Sequence, residues 1–238
     1  PLYSSAASDV YKRQQLDHGK FTTLTADVAG RGIGWTAAAD GPAVRSGYAQ
    51  LRIEGTPGDF IESDSVPLAR SPGAANLSVK GRVEQLRAAL PGVFEQPELV
   101  ADELALDAQT KGADAKNWFV DVGQLRVANS DLDVRLQGQW RKEGKSGAGS
   151  VDMRGTLVRG KMNAIHRYLP LEVNADAREW LATGLPAGQM ESAAITLKGD
   201  LDEFPFGAPG STGEFVIAGA YSGAKVDYAP ARLSLIHI

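Results

Sequence analysis

Apolar and polar residues alternate with a period of two through most of the chain. Leu132, Val134, Leu136 and Trp140 fall on one side of a run in which Asp131, Asp133, Arg135, Gln137, Gln139 and Arg141 fall on the other. A strand turns successive side chains to opposite faces, so this run predicts a half-buried strand. Leu77-Ser-Val79-Lys and Ile195-Thr-Leu197-Lys repeat the alternation. Strands with one apolar face belong in antiparallel sheets rather than in layers covered by crossover helices.

A short motif recurs within these runs: apolar, any, apolar, any, Gly. It occurs at Leu51–Gly55, Leu77–Gly81, Val134–Gly138, Val151–Gly155, Ile195–Gly199 and Phe215–Gly219. In each copy the glycine is in phase with the apolar residues, where it leaves a gap or permits a bend. Six copies at uneven spacing predict an iterated β unit with variable insertions. Three segments carry a helical period instead: 83–90, 162–168 and 175–183. The first two stop at Leu90-Pro91 and Leu169-Pro170, and the third is capped by Asn174 or Asp176 and ends at Gly184. All are too short to stand alone, so they must lie on the sheet or close its end. Asp40-Gly41-Pro42 reads as a hairpin turn, and the Pro- and Ser-rich stretch 63–75 as a boundary between sub-modules 15–70 and 71–232.

Both ends of the chain look foreign to this pattern. Residues 1–14 (PLYSSAASDVYKRQ) and 233–238 (LSLIHI) resemble translated adapter read-through, so they are set aside from the fold. The natural chain is then expected to continue beyond both ends.

Composition narrows the chemistry. The chain has 238 residues, 25 Lys and Arg against 29 Asp and Glu, three His and no Cys. Disulfides, thiolate metal sites and Cys nucleophiles are excluded, and no basic surplus exists to neutralise nucleic-acid phosphates. Nowhere do 18 consecutive apolar residues occur, so no membrane-spanning helix is predicted. Gly30-Arg-Gly32-Ile-Gly34 lacks the following helix that a phosphate loop requires. Asp200, Asp202 and Glu203 could suggest paired catalytic carboxylates or a calcium site, but their alternating positions read better as a solvated edge. His166 reads as a surface or interfacial residue. No enzyme, metal or cofactor is expected.

What remains is the sheet. Many strands carry an apolar face, and few helices exist to cover it. Either two sheets pack together, or one sheet curls around an apolar trough suited to acyl chains. Leu77, Val79, Leu132, Val134, Leu136, Val151, Met153, Ile195 and Leu197 are the candidate lining residues. About 14 strands at ~4.8 Å spacing would give a trough of ~65 Å.

The C-terminal third carries a resemblance. Tyr168-Leu169-Pro170 is followed by Arg178-Glu-Trp180-Leu181, then Gly188, Leu197-Lys-Gly199-Asp-Leu201, Phe204-Pro205-Phe206, Gly213-x-Phe215 and Tyr228-Ala-Pro230. This series resembles the YhdP branch of the AsmA-like family over 151–230, and more generically over 21–150. The resemblance implies a mainly β fold: an extended, curled antiparallel sheet forming a repeating β-groove, with a few short helices. It implies a periplasmic segment of a Gram-negative envelope protein, anchored in the inner membrane by an N-terminal helix outside this sequence. It implies phospholipid carriage between inner and outer membranes along an apolar groove, with acyl chains as the partner. The family brings no catalytic residues, and its motif residues here read as structural. The alternative from another class is an envelope scaffold for outer-membrane biogenesis that carries no lipid. A sandwich-type enzyme or carbohydrate binder would instead gather aromatic or carboxylate residues at one loop end.

Overall fold

A computed structural model of the chain describes residues 8–17, 20–36, 41–56, 75–112, 117–144 and 147–228. Among these residues twelve strands form one antiparallel sheet: β1 (Ser8–Asp17), β2 (Lys20–Arg31), β3 (Gly34–Thr36), β4 (Ala43–Arg45), β5 (Tyr48–Thr56), β6 (Asn76–Ala89), β7 (Glu98–Thr110), β8 (Trp118–Ala128), β9 (Leu132–Lys142), β10 (Ser150–Lys161), β11 (Ala187–Asp200) and β12 (Glu214–Lys225). Ten of them lie side by side in the order β1-β2-β5-β6-β7-β8-β9-β10-β11-β12. The short β3–β4 hairpin branches off, with β4 lying beside β6 just beyond the start of β5. Neighbours in sequence are neighbours in space, as expected for hairpin-linked strands whose registers are set by one apolar face. Ten strands at ~4.8 Å spacing span about 43 Å, shorter than the ~65 Å anticipated from a larger strand number.

Local irregularities bend this sheet. β8 carries one extra residue between Val122 and Leu125. β10 and β11 carry matched irregularities at Val158 and Ser192, and Ser192 is left-handed at φ 51°. Each bulge kinks its strand and raises the local twist, and the sheet is curled as a result.

Two of the three expected helices are present. Met162–Tyr168 is a 3-10 helix, and α1 (Ala175–Thr183) is an α-helix whose cap is Asn174, its side chain accepting from the amides of Asp176 and Ala177. The third expectation, a helix over 83–90, is corrected: that segment is the second half of β6. Its apparent three-residue period arises because the less exposed positions shift phase within one strand, from odd (Val79, Val83) to even (Leu86, Ala88), while Arg82 and Arg87 stay exposed. Val83 pairs with Leu104, whereas Leu86 and Ala88 pair with Ala101 and Leu99, with left-handed Gln85 (φ 53°) at the changeover.

Residues 8–14, set aside above, run in β1 beside β2. The string 233–238, Asp40 and the stretch 63–74 lie outside the described residues. β5 pairs directly with β6 across that stretch.

Candidate functional site

The register aligns the apolar residues into rows that cross the sheet. One row runs Val28, Leu51, Gly81, Leu106, Leu125, Leu136, Gly155, Ile195, Ile217. The next runs Ala26, Ile53, Val79, Ala108, Val122, Gly138, Met153, Leu197, Phe215. Partners directly opposite in an antiparallel pair share a face, so both rows lie on one side. All nine predicted lining residues fall on that side. Leu77 and Val151 lie in a flanking row with Val120 and Trp140, and Val134 lies in another with Val127 and Leu157. Leu132 extends the face toward the helices through its pairing with Gly160.

The face is larger than the nine residues. Leu104, Leu106, Ala108, Val120, Val122, Leu125 and Val127 fill its centre. The signal for part of this was present in Leu104-Ala-Leu106-Asp-Ala108, which alternates. On β8 the bulge moves the apolar phase from even numbers (Val120, Val122) to odd (Leu125, Val127), which hides the strand from a strict two-residue period.

No second layer seals this face among the described residues. The buried cluster of Ala108, Val122 and Met153, with Leu106, Val120, Leu125, Leu136, Val151 and Leu197 packed on it, comes entirely from five adjacent strands, β7 to β11. Buried positions are few and many are small: Ala101, Ala108 and Ala193 alongside Met153 and Ile195. Leu106, Leu125 and Leu136 are only partly buried although they sit mid-sheet. A sandwich core would have buried the central leucines; a single curled sheet leaves them accessible.

The opposite face is polar and neutralises itself. Arg126 Nη1 lies 2.8 Å from Glu103 and its Nη2 2.9 Å from Asp133. Lys80 meets Asp107 at 3.2 Å, and Lys198 meets Asp152 at 3.6 Å. Asp133 is held below the ordinary carboxylate range, chiefly by the hydrogen bond from Arg126 against the opposing effect of burial.

Each end of the apolar face is closed by residues of the family motif. At the helix end, Met162 packs over Gly188 of β11, its Sδ 2.6 Å from where a Cβ would stand. Tyr168 fastens the same helix: its hydroxyl accepts from Asn129 Nδ2 at 2.9 Å and donates to Asp131 at 3.3 Å. Asn129, 7% exposed, also donates to the Val100 carbonyl and accepts from the amides of Asp131 and Leu132. Burial raises the Tyr168 pKa above the ordinary phenol value despite that bond from Asn129. Leu169 and Pro170 end the 3-10 helix, with Pro170 bridging to Phe94. Arg178 donates to the Val173 carbonyl and reaches Glu95, and Trp180 and Leu181 are half-buried on α1. At the other end, Phe204 packs on Phe206 and Phe215 with ring centroids 5.6 Å apart in both pairs, and Pro205 lies between the first two. Gly199 lies beneath Phe206. Tyr228 stands apart, 86% exposed.

The acidic residues singled out above are occupied locally. Asp200 accepts from the Asp202 amide, Asp202 from the Ala148 amide, and Glu203 from the Ser211 hydroxyl. Among the described residues no group of three or more acidic or His side chains is placed to hold a metal, and no helix is long and apolar enough to cross a membrane.

No curated protein and no solved structure matches the chain. A family profile does: that of the YhdP protein, over residues 20–235, a span holding all but the first of the described strands and every residue of the apolar face named above. With nearly the whole chain matched and the curled single sheet in place, the chain belongs to the YhdP family of AsmA-like envelope proteins.

Proposed function

We propose that this chain is a segment of a periplasmic, bridge-like protein that carries phospholipid between the inner and outer membranes, with acyl chains lying on the apolar face. The observation that carries this reading is the uncovered apolar face itself, continuous from β2 to β12. Each CH₂ removed from water contributes about 0.8 kcal/mol, so two acyl chains are held without a dedicated polar site. Transport by this route involves no bond making, and the segment acts without catalysis, metal or cofactor. The headgroup stays in water at the open side of the trough.

Continuity is the requirement that separates a conduit from a scaffold. A charge in mid-face interrupts the path without removing the protein. In cells whose outer-membrane phospholipid supply depends on the intact parent, Leu136→Glu should abolish delivery while the protein accumulates at its usual level. Arg135→Glu, on the polar face, should leave delivery intact. Normal delivery by Leu136→Glu would favour the scaffold.

A further inference from the structure

The polar–apolar boundary at one end of the strands is built from aromatic rings that are tied to one another. Trp118 and Trp140 lie 6.5 Å apart between centroids on β8 and β9, at the margin of the apolar face. Trp140 Nε1 donates to the Ala148 carbonyl at 3.0 Å, and the Ala148 amide donates to Asp202 at 2.9 Å. The Leu201 amide donates to the Gly149 carbonyl at 2.8 Å. The segment 201–213 is thereby pinned across the β9–β10 turn, and it delivers Phe204 and Phe206 to the same margin.

Phe206 is the distinctive member. It adopts a left-handed backbone, φ 65°, which a bulky residue takes up only where its surroundings impose it. Its ring fills the space left by two glycines that are in phase with the apolar rows: Gly199 with Leu197, and Gly213 with Phe215. A Cβ on Gly199 would lie 2.8 Å from Phe206 Cε1, and one on Gly213 would overlap the ring. The glycines are the space that admits the ring, and the ring closes the trough above β11.

Resting on the conduit reading, we infer that Phe206 is a retaining wall: it stops acyl chains seated on Met153, Ile195 and Leu197 from sliding past the strand ends into water. It sets how long a lipid stays, not whether one binds. Asp202 is the positioning residue that holds the segment against Ala148.

The test uses the 238-residue chain loaded from vesicles of phosphatidylethanolamine and phosphatidylglycerol that carry a trace of acyl-labelled fluorescent phosphatidylglycerol. Release into unlabelled vesicles is then timed. Phe206→Ala should release lipid on the order of five-fold faster at unchanged loading, since an aromatic contact is worth roughly 1 kcal/mol. Phe206→Leu should stay near wild type, because it keeps an apolar wall. Asp202→Ala, an exposed change that removes no ring but frees the segment from Ala148, should speed release to a smaller degree, and it decides the matter if Phe206→Ala does not fold. Wild-type release rates in both Phe206→Ala and Asp202→Ala, or in Asp202→Ala alone where Phe206→Ala does not fold, would overturn the wall while leaving the conduit standing. Absence of loading in the wild-type chain would overturn the conduit and the wall with it.

Discussion

Gly138 on β9 lies so close to Met153 on β10 that a Cβ added to it would stand 2.8 Å from the Met153 Cα and collide with the Asp152 carbonyl. Its φ of 144° is open to glycine and rarely taken by other residues. Gly81 holds the equivalent motif position on β6, but there a Cβ would meet only Leu51 Cδ1 at 3.4 Å and the Gln50 carbonyl at 3.6 Å. Gly138→Ala should therefore destabilise the chain by about 2–3 kcal/mol, and Gly81→Ala by less than ~0.5 kcal/mol. Urea unfolding midpoints of the two variants measure the difference. Equal midpoints would mean that the recurring glycine is a packing gap everywhere and a bend nowhere.

The Asn129 side chain joins three segments: the β8–β9 turn, β7 through the Val100 carbonyl, and the 3-10 helix through Tyr168. Asn129→Ala strands buried backbone donors and should cost about 2–3 kcal/mol, whereas Tyr168→Phe removes one hydroxyl and should cost ~1 kcal/mol. Hydrogen exchange in Met162–Tyr168 should rise in both variants. Unchanged protection there would show that the helix is held by apolar packing alone.

Acid should weaken the sheet through Asp133. Its carboxyl holds a proton more weakly in the folded chain than in the unfolded one, because Arg126 donates to it at 3.1 and 2.9 Å. A depressed folded pKa contributes stability that is complete above about pH 4, the unfolded carboxylate value, and is lost as pH falls through the lower folded value. Asp133→Asn should be less stable at neutral pH and should lose less stability than the wild-type chain on acidification below about pH 4. Parallel pH profiles for the two proteins would contradict this assignment.

The strand at 132–142 and the α-helix at 175–183 were legible because nothing interrupts their periods. Val134 and Leu136 repeat cleanly, and Asn174 marks the helix start. The segment 83–90 imitates a helix because the apolar phase of a strand shifts at left-handed Gln85, from Val83 to Leu86, and that three-residue step reproduces a helical spacing. β8 was hidden by its bulge at 123–124, which changes the phase of the apolar residues within one strand. That the sheet is single was beyond the sequence: alternation says which face is apolar, and only burial says whether anything covers it. The roles of Asn129 and Phe206 depend on contacts between residues 29 or more positions apart for Asn129, and on two glycines that leave no apolar signal for Phe206.

An uncovered face tolerates charge better than a core. Leu136→Glu places a carboxylate where water already reaches the side chain. It should cost roughly 1–2 kcal/mol, against the 3–5 kcal/mol expected for an unpaired charge in a sealed interior. Thermal unfolding measured in the absence of lipid gives the value. A loss in the upper range would show that something covers the face.

In a conduit, lipid lies on the apolar face and not on the polar one. A photo-crosslinking residue at Val134 or Leu197 of the intact parent protein in cells, with Arg135 or Lys198 as the matched polar-face position, tests it directly. Mass spectrometry of the irradiated protein should find phospholipid attached at Val134 and Leu197 and little at Arg135 and Lys198. Equal labelling of both faces, or labelling of neither, would contradict the conduit and leave a scaffold.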